Sequence, residues 1–152
     1  LGFNYRMNEI QAAIGIEQLK KVGGFLTKRE ENYRHLENEL KTIDEISLLK
    51  SSHAKFKSSY YCLSVILDDS IAEKRFEVVN YLKANGVGTS VYYPKAIPEF
   101  TYYKEKYGYV DNQFPNATRI SNHSIALPVA PHLNIDDMNY IVEQLKNAIK
   151  HL

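Results

Sequence analysis

Two short runs hold the residue types that could recognise a ligand. The first is Asn4-Tyr5-Arg6, directly ahead of a small-residue helical run that starts at Asn8. An amide, a phenol and a guanidinium just before a helix N-terminus suit an anion, because the first backbone N–H groups and the positive end of the helix dipole point the same way. A loop whose Arg6 merely lies on the surface explains the same residues equally well. The second run is Tyr92-Tyr93-Pro94-Lys95, where an alternating stretch ends and a long aromatic segment begins. Ligand contacts collect where strands feed long loops. A tyrosine there can bond a sugar hydroxyl or stack on a ring, and Lys95 could neutralise a phosphate. Aromatic packing beneath a loop is the competing explanation.

Other constellations carry less. Gly86-Val87-Gly88 follows a helix, the wrong context for a nucleotide fingerprint. His35, His53, His123, His132 and His151 are scattered without metal-ligand spacing, so no metal site is expected. Ser124 and His132 lack an elbow motif and an orienting acid. Lys55, in His53-Ala54-Lys55, has nothing apolar around it to lower its pKa for covalent chemistry. No residue is assigned a catalytic role, and no self-contained active site is visible.

The elements that must position these residues follow from periodicity. Asn8 is expected to cap the first helix, with Glu9 in its first turn. Ile10, Ala12, Ala13, Ile14, Ile16 and Leu19 leave little polar surface, which predicts a helix covered on most sides. Gly23-Gly24 is expected to end or bend it. A second helix then runs from about Phe25 to Ile43, with Leu26, Tyr33, Leu36, Leu40 and Ile43 on one stripe. Its charged residues, Lys28 to Glu39, read as a solvated face, Arg29 among them.

Ile46–Leu49 reads as a short strand and Tyr60–Leu67 as a long one, with Tyr61, Leu63, Val65 and Leu67 on one face and Tyr60, Cys62, Ser64 and Ile66 on the other. Ser70-Ile71-Ala72-Glu73 has the form of a capping box, opening a helix whose Ala72, Phe76, Val79 and Leu82 face inward. Asn85-Gly86 supplies its left-handed stop. Thr89–Tyr93 reads as a strand stopped by Pro94, and Lys95–Gln113 as an irregular aromatic loop held by ring packing. Pro115 starts a short helix, Ser124–Leu127 is a further strand, and Asn134 caps a last helix lined by Met138, Ile141, Val142, Leu145, Ala148 and Ile149. The fold class is mixed α/β of the α+β kind: a short, mostly antiparallel sheet with helices mainly on one face.

Composition excludes other classes. A net charge of +1 with both signs interspersed leaves no nucleic-acid footprint, and no apolar run is long enough for a membrane span. A single cysteine, Cys62, fits a reducing, cytoplasmic setting and reads as a buried thiol. No signal-peptide pattern follows Leu1, and a thin apolar helix so near the start needs protein to bury against. The expectation is the C-terminal part of a longer chain.

Gly2-Phe3-Asn4-Tyr5-Arg6-Met7, continuing through Asn8-Glu9-Ile10-Gln11-Ala12-Ala13-Ile14-Gly15 to Gln18-Leu19-Lys20-Lys21, resembles the DegT/DnrJ/EryC1/StrS family of pyridoxal-phosphate-dependent sugar aminotransferases. Two further segments carry the likeness: Gly88 to Pro98 with Tyr103-Lys104-Glu105-Lys106-Tyr107-Gly108, and Ile125 to Leu133 ahead of an acidic-started helix. The resemblance implies the small C-terminal domain of a fold-type-I aminotransferase, with residues 1–43 leading out of a large domain and residues 44–152 forming the small one. It implies a homodimer with composite active sites, pyridoxal 5'-phosphate as cofactor, and a nucleotide-diphosphate keto-sugar and an amino-acid donor, glutamate in the first instance, as partners.

By the same resemblance Asn4 matches the residue that reaches the cofactor phosphate across the dimer, and Arg6 one that holds the nucleotide diphosphate. Tyr5, Tyr92, Tyr93 and Lys95 fall to the substrate. Tyr92 and Pro98 stand where many members have histidine. The Schiff-base lysine would precede Leu1, which implies that these residues alone do not transaminate. Two other readings stay open: a cofactor-dependent nucleotide-sugar dehydratase, in which histidine replaces that lysine, and a non-catalytic oligomerisation or sugar-binding module.

Overall fold

A computed structural model describes residues 4–51 and 55–152. The Gly2-Phe3 pair and His53-Ala54 lie outside the described residues. Among the described residues there are five α-helices, α1 (Glu9–Leu40), α2 (Arg75–Ala84), α3 (Thr101–Tyr107), α4 (Pro115–His123) and α5 (Ile135–Lys150), and three strands, β1 (Ile46–Leu48), β2 (Cys62–Leu67) and β3 (Ser124–Pro128). The strands form one antiparallel sheet in the order β1-β2-β3. None of the described helices is long and apolar enough to cross a membrane.

The first two predicted helices are one. α1 runs 32 residues straight through Gly23-Gly24. Two glycines cost about 1 kcal/mol each, but nothing after them offers another home for the carbonyls a break would free. Propagating a formed helix is easier than nucleating a new one. Thr27 Oγ1 donates to the Gly23 carbonyl at 3.1 Å, within the same helix. At the N-terminus, Asn8 accepts from the Gln11 N–H at 2.9 Å while its own N–H donates to Gln11 Oε1 at 3.0 Å, a closed capping box.

The buried part of α1 is its second half: Asn32, Tyr33, Leu36 and Leu40. The expectation of a helix covered on most sides is not met by this chain, since Ile10 and Leu19 are 73% and 71% exposed. The first turns of α1 extend past the sheet, whereas Tyr33, Leu36 and Leu40 share one core with Leu63, Val65, Leu67, Leu82, Met138 and Leu145. Register explains the inner sheet face. Val65 lies opposite Ile125 and Leu63 opposite Leu127, so their side chains point the same way. α5 is capped as expected, with Asn134 Oδ1 accepting from the Asp136 and Asp137 N–H groups at 2.8 and 3.1 Å.

Four local expectations are corrected. Tyr60 is buried and Tyr61 63% exposed, the reverse of the predicted alternation. Tyr60 takes φ +50° just ahead of β2, and α1 holds it: its ring sits 5.1 Å from that of Tyr33, and Arg34 Nη2 donates to its hydroxyl at 3.0 Å. Cys62 is half-buried. The Ser70 capping box does not form, because the Ser70 N–H and hydroxyl both donate to Asp68 Oδ1, at 3.0 and 2.8 Å. A 3-10 turn (Ala72–Lys74) leads into α2 instead. Its tighter winding shifts the helical phase, so Val78 is buried and Phe76 is 74% exposed.

The predicted strand Thr89–Tyr93 reduces to a single bridge, Ser90 with Ala126, closed by bonds of 3.2 and 2.8 Å. The next such pair would set Gly88 against Pro128, which has no N–H to donate. The aromatic segment is partly helical. A 3-10 turn (Ile97–Glu99) and α3 occupy it, and Gly108, at φ +69°, ends α3. Tyr103 and Tyr107, four residues apart, stack at 6.1 Å, and the contacts continue from Tyr107 to Tyr109 (5.6 Å) and Tyr109 to Phe114 (5.3 Å).

Candidate functional site

The two predicted runs occupy different places. Asn4, Tyr5 and Arg6 are exposed on the extended segment ahead of α1. Tyr92 lines a cavity of about 210 Å³ between the second half of α1 and the outer edge of β3, together with Arg29, Tyr61, Cys62, Ser90 and the chain from Ala126 to Ala130. Arg29 lies 20 residues beyond Glu9 on α1, so about 30 Å of helix separates the two runs. They do not meet within one copy of this chain.

Each wall of the cavity has a local cause. The Ser90–Ala126 bridge pins one side. β2 begins at Cys62, and the turn at Tyr60 throws Tyr61 outward over the opening. Asn32 Nδ2 donates to the carbonyls of Ala130 and Leu133 and holds the chain after β3 against α1. The Arg29 guanidinium lies 5.6 Å from the centre of the Tyr61 ring, in cation–π range. A hydrogen bond with Tyr92 raises the pKa of the Tyr61 phenol above the ordinary value. A second cavity, of about 320 Å³, shares Gly88, Pro128 and Ala130 with the first and extends towards His132 and Tyr140.

Tyr93 is 66% exposed and meets Tyr92 edge-on at 5.9 Å. Lys95 is exposed and close enough to Asp111 to help lower its carboxyl pKa, after Lys104. Neither lines the cavity. Arg29 is the residue that sequence reasoning missed, having counted it as solvated. Its spacing held the signal, since 29, 33, 36 and 40 follow the four- and three-residue steps of the buried stripe. Ser124 is buried and its hydroxyl has no partner, so it forms no pair with His132, which is exposed. His35 Nε2 pairs with Asn139 Oδ1 at 2.7 Å and His123 Nδ1 lies 3.2 Å from the Leu67 carbonyl, structural roles for both. Among the described residues no group of three or more His, Cys, Asp or Glu is placed to hold a metal ion.

The model of the DegT/DnrJ/EryC1/StrS aminotransferase family matches residues 1–146. The chain belongs to that family. It is 30% identical over 150 residues to the UDP-4-amino-4,6-dideoxy-N-acetyl-beta-L-altrosamine transaminase of Campylobacter jejuni, an alignment covering 99% of this chain and 39% of that protein. Its fold matches PseC of Helicobacter pylori, an aminotransferase of pseudoaminic acid biosynthesis, with a TM-score of 0.85 at 24% identity, over 100% of this chain and 40% of PseC. It also matches the GDP-4-keto-6-deoxy-D-mannose-3-dehydratase of E. coli with bound hydrated PLP, with a TM-score of 0.79 at 24% identity, over 95% of this chain and 36% of the dehydratase. This member of the DegT/DnrJ/EryC1/StrS family therefore has the fold of part of a fold-type-I aminotransferase, and spans about 40% of the length of such a protein.

The family is pyridoxal-phosphate-dependent. In this member the Asn4 amide and the Arg6 guanidinium stand ahead of the α1 N-terminus, donors of the kind that anion oxygens accept from. Both are exposed, so this chain supplies at most one wall around a bound ring.

Proposed function

We propose that this chain is the C-terminal part of a pyridoxal-phosphate-dependent aminotransferase that moves an amino group from an amino acid, glutamate in the first instance, to a nucleotide-linked keto-sugar. The observation that carries the reading is the family match across residues 1–146. The cofactor supplies the electron sink for amino-group transfer, and this chain's residues bind and orient. Asn4 donates to the cofactor phosphate, Arg6 and Tyr5 hold the nucleotide diphosphate, and Tyr92, Tyr93 and Lys95 contact the sugar side. In this reading residues 1–43 link to a larger domain and residues 44–152 form the small one.

The enzyme works as a homodimer in the cytoplasm. The helix length between Arg6 and the Tyr92 cavity supports the dimer, since the two runs then serve different composite sites. The exposed apolar turns of α1 support it too. The test is mass spectrometry of products from the complete protein, given candidate nucleotide keto-sugars, glutamate and cofactor. A mass change corresponding to amine for ketone is expected, with formation of 2-oxoglutarate.

A dehydratase is the second reading, favoured by the match to the E. coli enzyme at a TM-score of 0.79. It predicts histidine in place of the cofactor-binding lysine and loss of water from the sugar without a new nitrogen.

A further inference from the structure

Arg29 Nε is buried and has no hydrogen-bond partner among the described residues. Arg29 as a whole is half-buried, but a donor atom shut off from water without an acceptor carries a cost that a bound anion would offset. One turn further along the same helix face, Asn32 Oδ1 is likewise buried without a partner, while Asn32 Nδ2 holds the Ala130 wall. No carboxylate lines the cavity, and Glu30, next in sequence, is bonded to Arg34 and Lys57. The Tyr61 ring is in cation–π range, but no anionic group among the cavity's lining residues answers the guanidinium charge. The space, about 210 Å³, far exceeds the ~15 Å³ that one water needs.

We propose that Arg29 anchors an oxyanion subsite in this cavity, receiving a phosphate or carboxylate group of a small ligand, with the Ser90 and Tyr92 hydroxyls as further donors. The flat guanidinium matches such a group through paired N–H bonds, and the Tyr61 ring orients it. The proposal deepens the aminotransferase reading and rests on it only for the ligand's source. A phosphate would come from the nucleotide diphosphate, a carboxylate from the amino-acid donor.

The test is binding to the full chain, followed by tyrosine fluorescence, which is available because the chain has 12 tyrosines and no tryptophan. Inorganic phosphate, UDP and glutamate are titrated separately. Saturable binding is expected for phosphate and UDP, or else for glutamate, and the responding pair or single ligand identifies the source. Arg29→Gln should weaken that binding at least tenfold. Arg29→Lys keeps the charge and the helix, so it serves if the glutamine variant fails to fold, and it should weaken binding severalfold for lack of the planar fork. The proposal is overturned if none of the three ligands binds the unmodified chain, or if the folded Arg29 variants bind as tightly as it does. Binding that Arg6→Gln abolishes while Arg29→Gln leaves it intact would also overturn it, because the N-terminal run would then be the site. Failure on any of these counts leaves the aminotransferase reading standing, since that is judged by product mass in the complete protein.

Discussion

Asn32 Nδ2 donates to the carbonyl oxygen of Ala130 at 3.1 Å, joining residues 98 positions apart. The same amide reaches the Leu133 carbonyl at 3.0 Å, so one side chain ties α1 to the whole turn between β3 and α5. Asn32 is fully buried, while Ala130 and Leu133 are half-buried. Asn32→Ala should destabilise the chain by ~1–3 kcal/mol, the loss of two hydrogen bonds to half-buried carbonyls. Asn32→Asp should cost more at neutral pH, because a carboxylate would face those carbonyls. Urea unfolding of both variants against the unmodified chain checks the order.

The glycines of α1 and of the turn after α2 should respond with opposite signs. A Cβ at Gly23 or Gly24 meets nothing within 4 Å, and both residues are helical. Gly23→Ala and Gly24→Ala should each stabilise by ~0.5–1 kcal/mol. Gly86 has equal space around it but sits at φ +76°. Gly86→Ala should destabilise by ~1–2 kcal/mol through the left-handed backbone alone. Thermal melts of the three variants separate backbone conformation from crowding.

Acid should act through Glu30. Hydrogen bonds from Lys57 and then Arg34 hold its carboxyl down to about 2, against an ordinary 4.5. A folded pKa below the unfolded one gives stability that is present above about 4.5 and lost as pH falls towards 2. In Glu30→Gln that part of the acid dependence should disappear, flattening the stability profile across this window. Carboxyl-carbon NMR titration of Glu30, with urea melts at several acidic pH values, tests both the pKa and its consequence.

In the complete protein, the two N-terminal donors should separate cofactor from substrate. Asn4→Ala should weaken retention of pyridoxal phosphate, read from cofactor absorbance after dialysis. Arg6→Gln should leave that absorbance alone and raise KM for the nucleotide-sugar by roughly tenfold or more, as expected when a charge-assisted bond of ~1.5–3 kcal/mol is lost. Equal effects of both changes on cofactor and KM would count against the assigned roles.

What could be read from the amino-acid order was whatever depends on near neighbours. The Asn8 and Asn134 caps, the Gly86 stop, the inner face of α5 and the Tyr33-Leu36-Leu40 stripe each rest on residues within about one helical turn, and all are present. The family likeness was legible for a similar reason, because its segments are contiguous runs. The inward turn of Tyr60 and the placing of Arg29 beside Tyr61 and Tyr92 depend on groups tens of residues away. An acceptor for Tyr60, or a wall for Arg29, exists only once α1, β2 and the chain around Ser90 have packed. Tertiary structure alone decided those positions, since a buried polar group takes its partner from whatever lies against it in space.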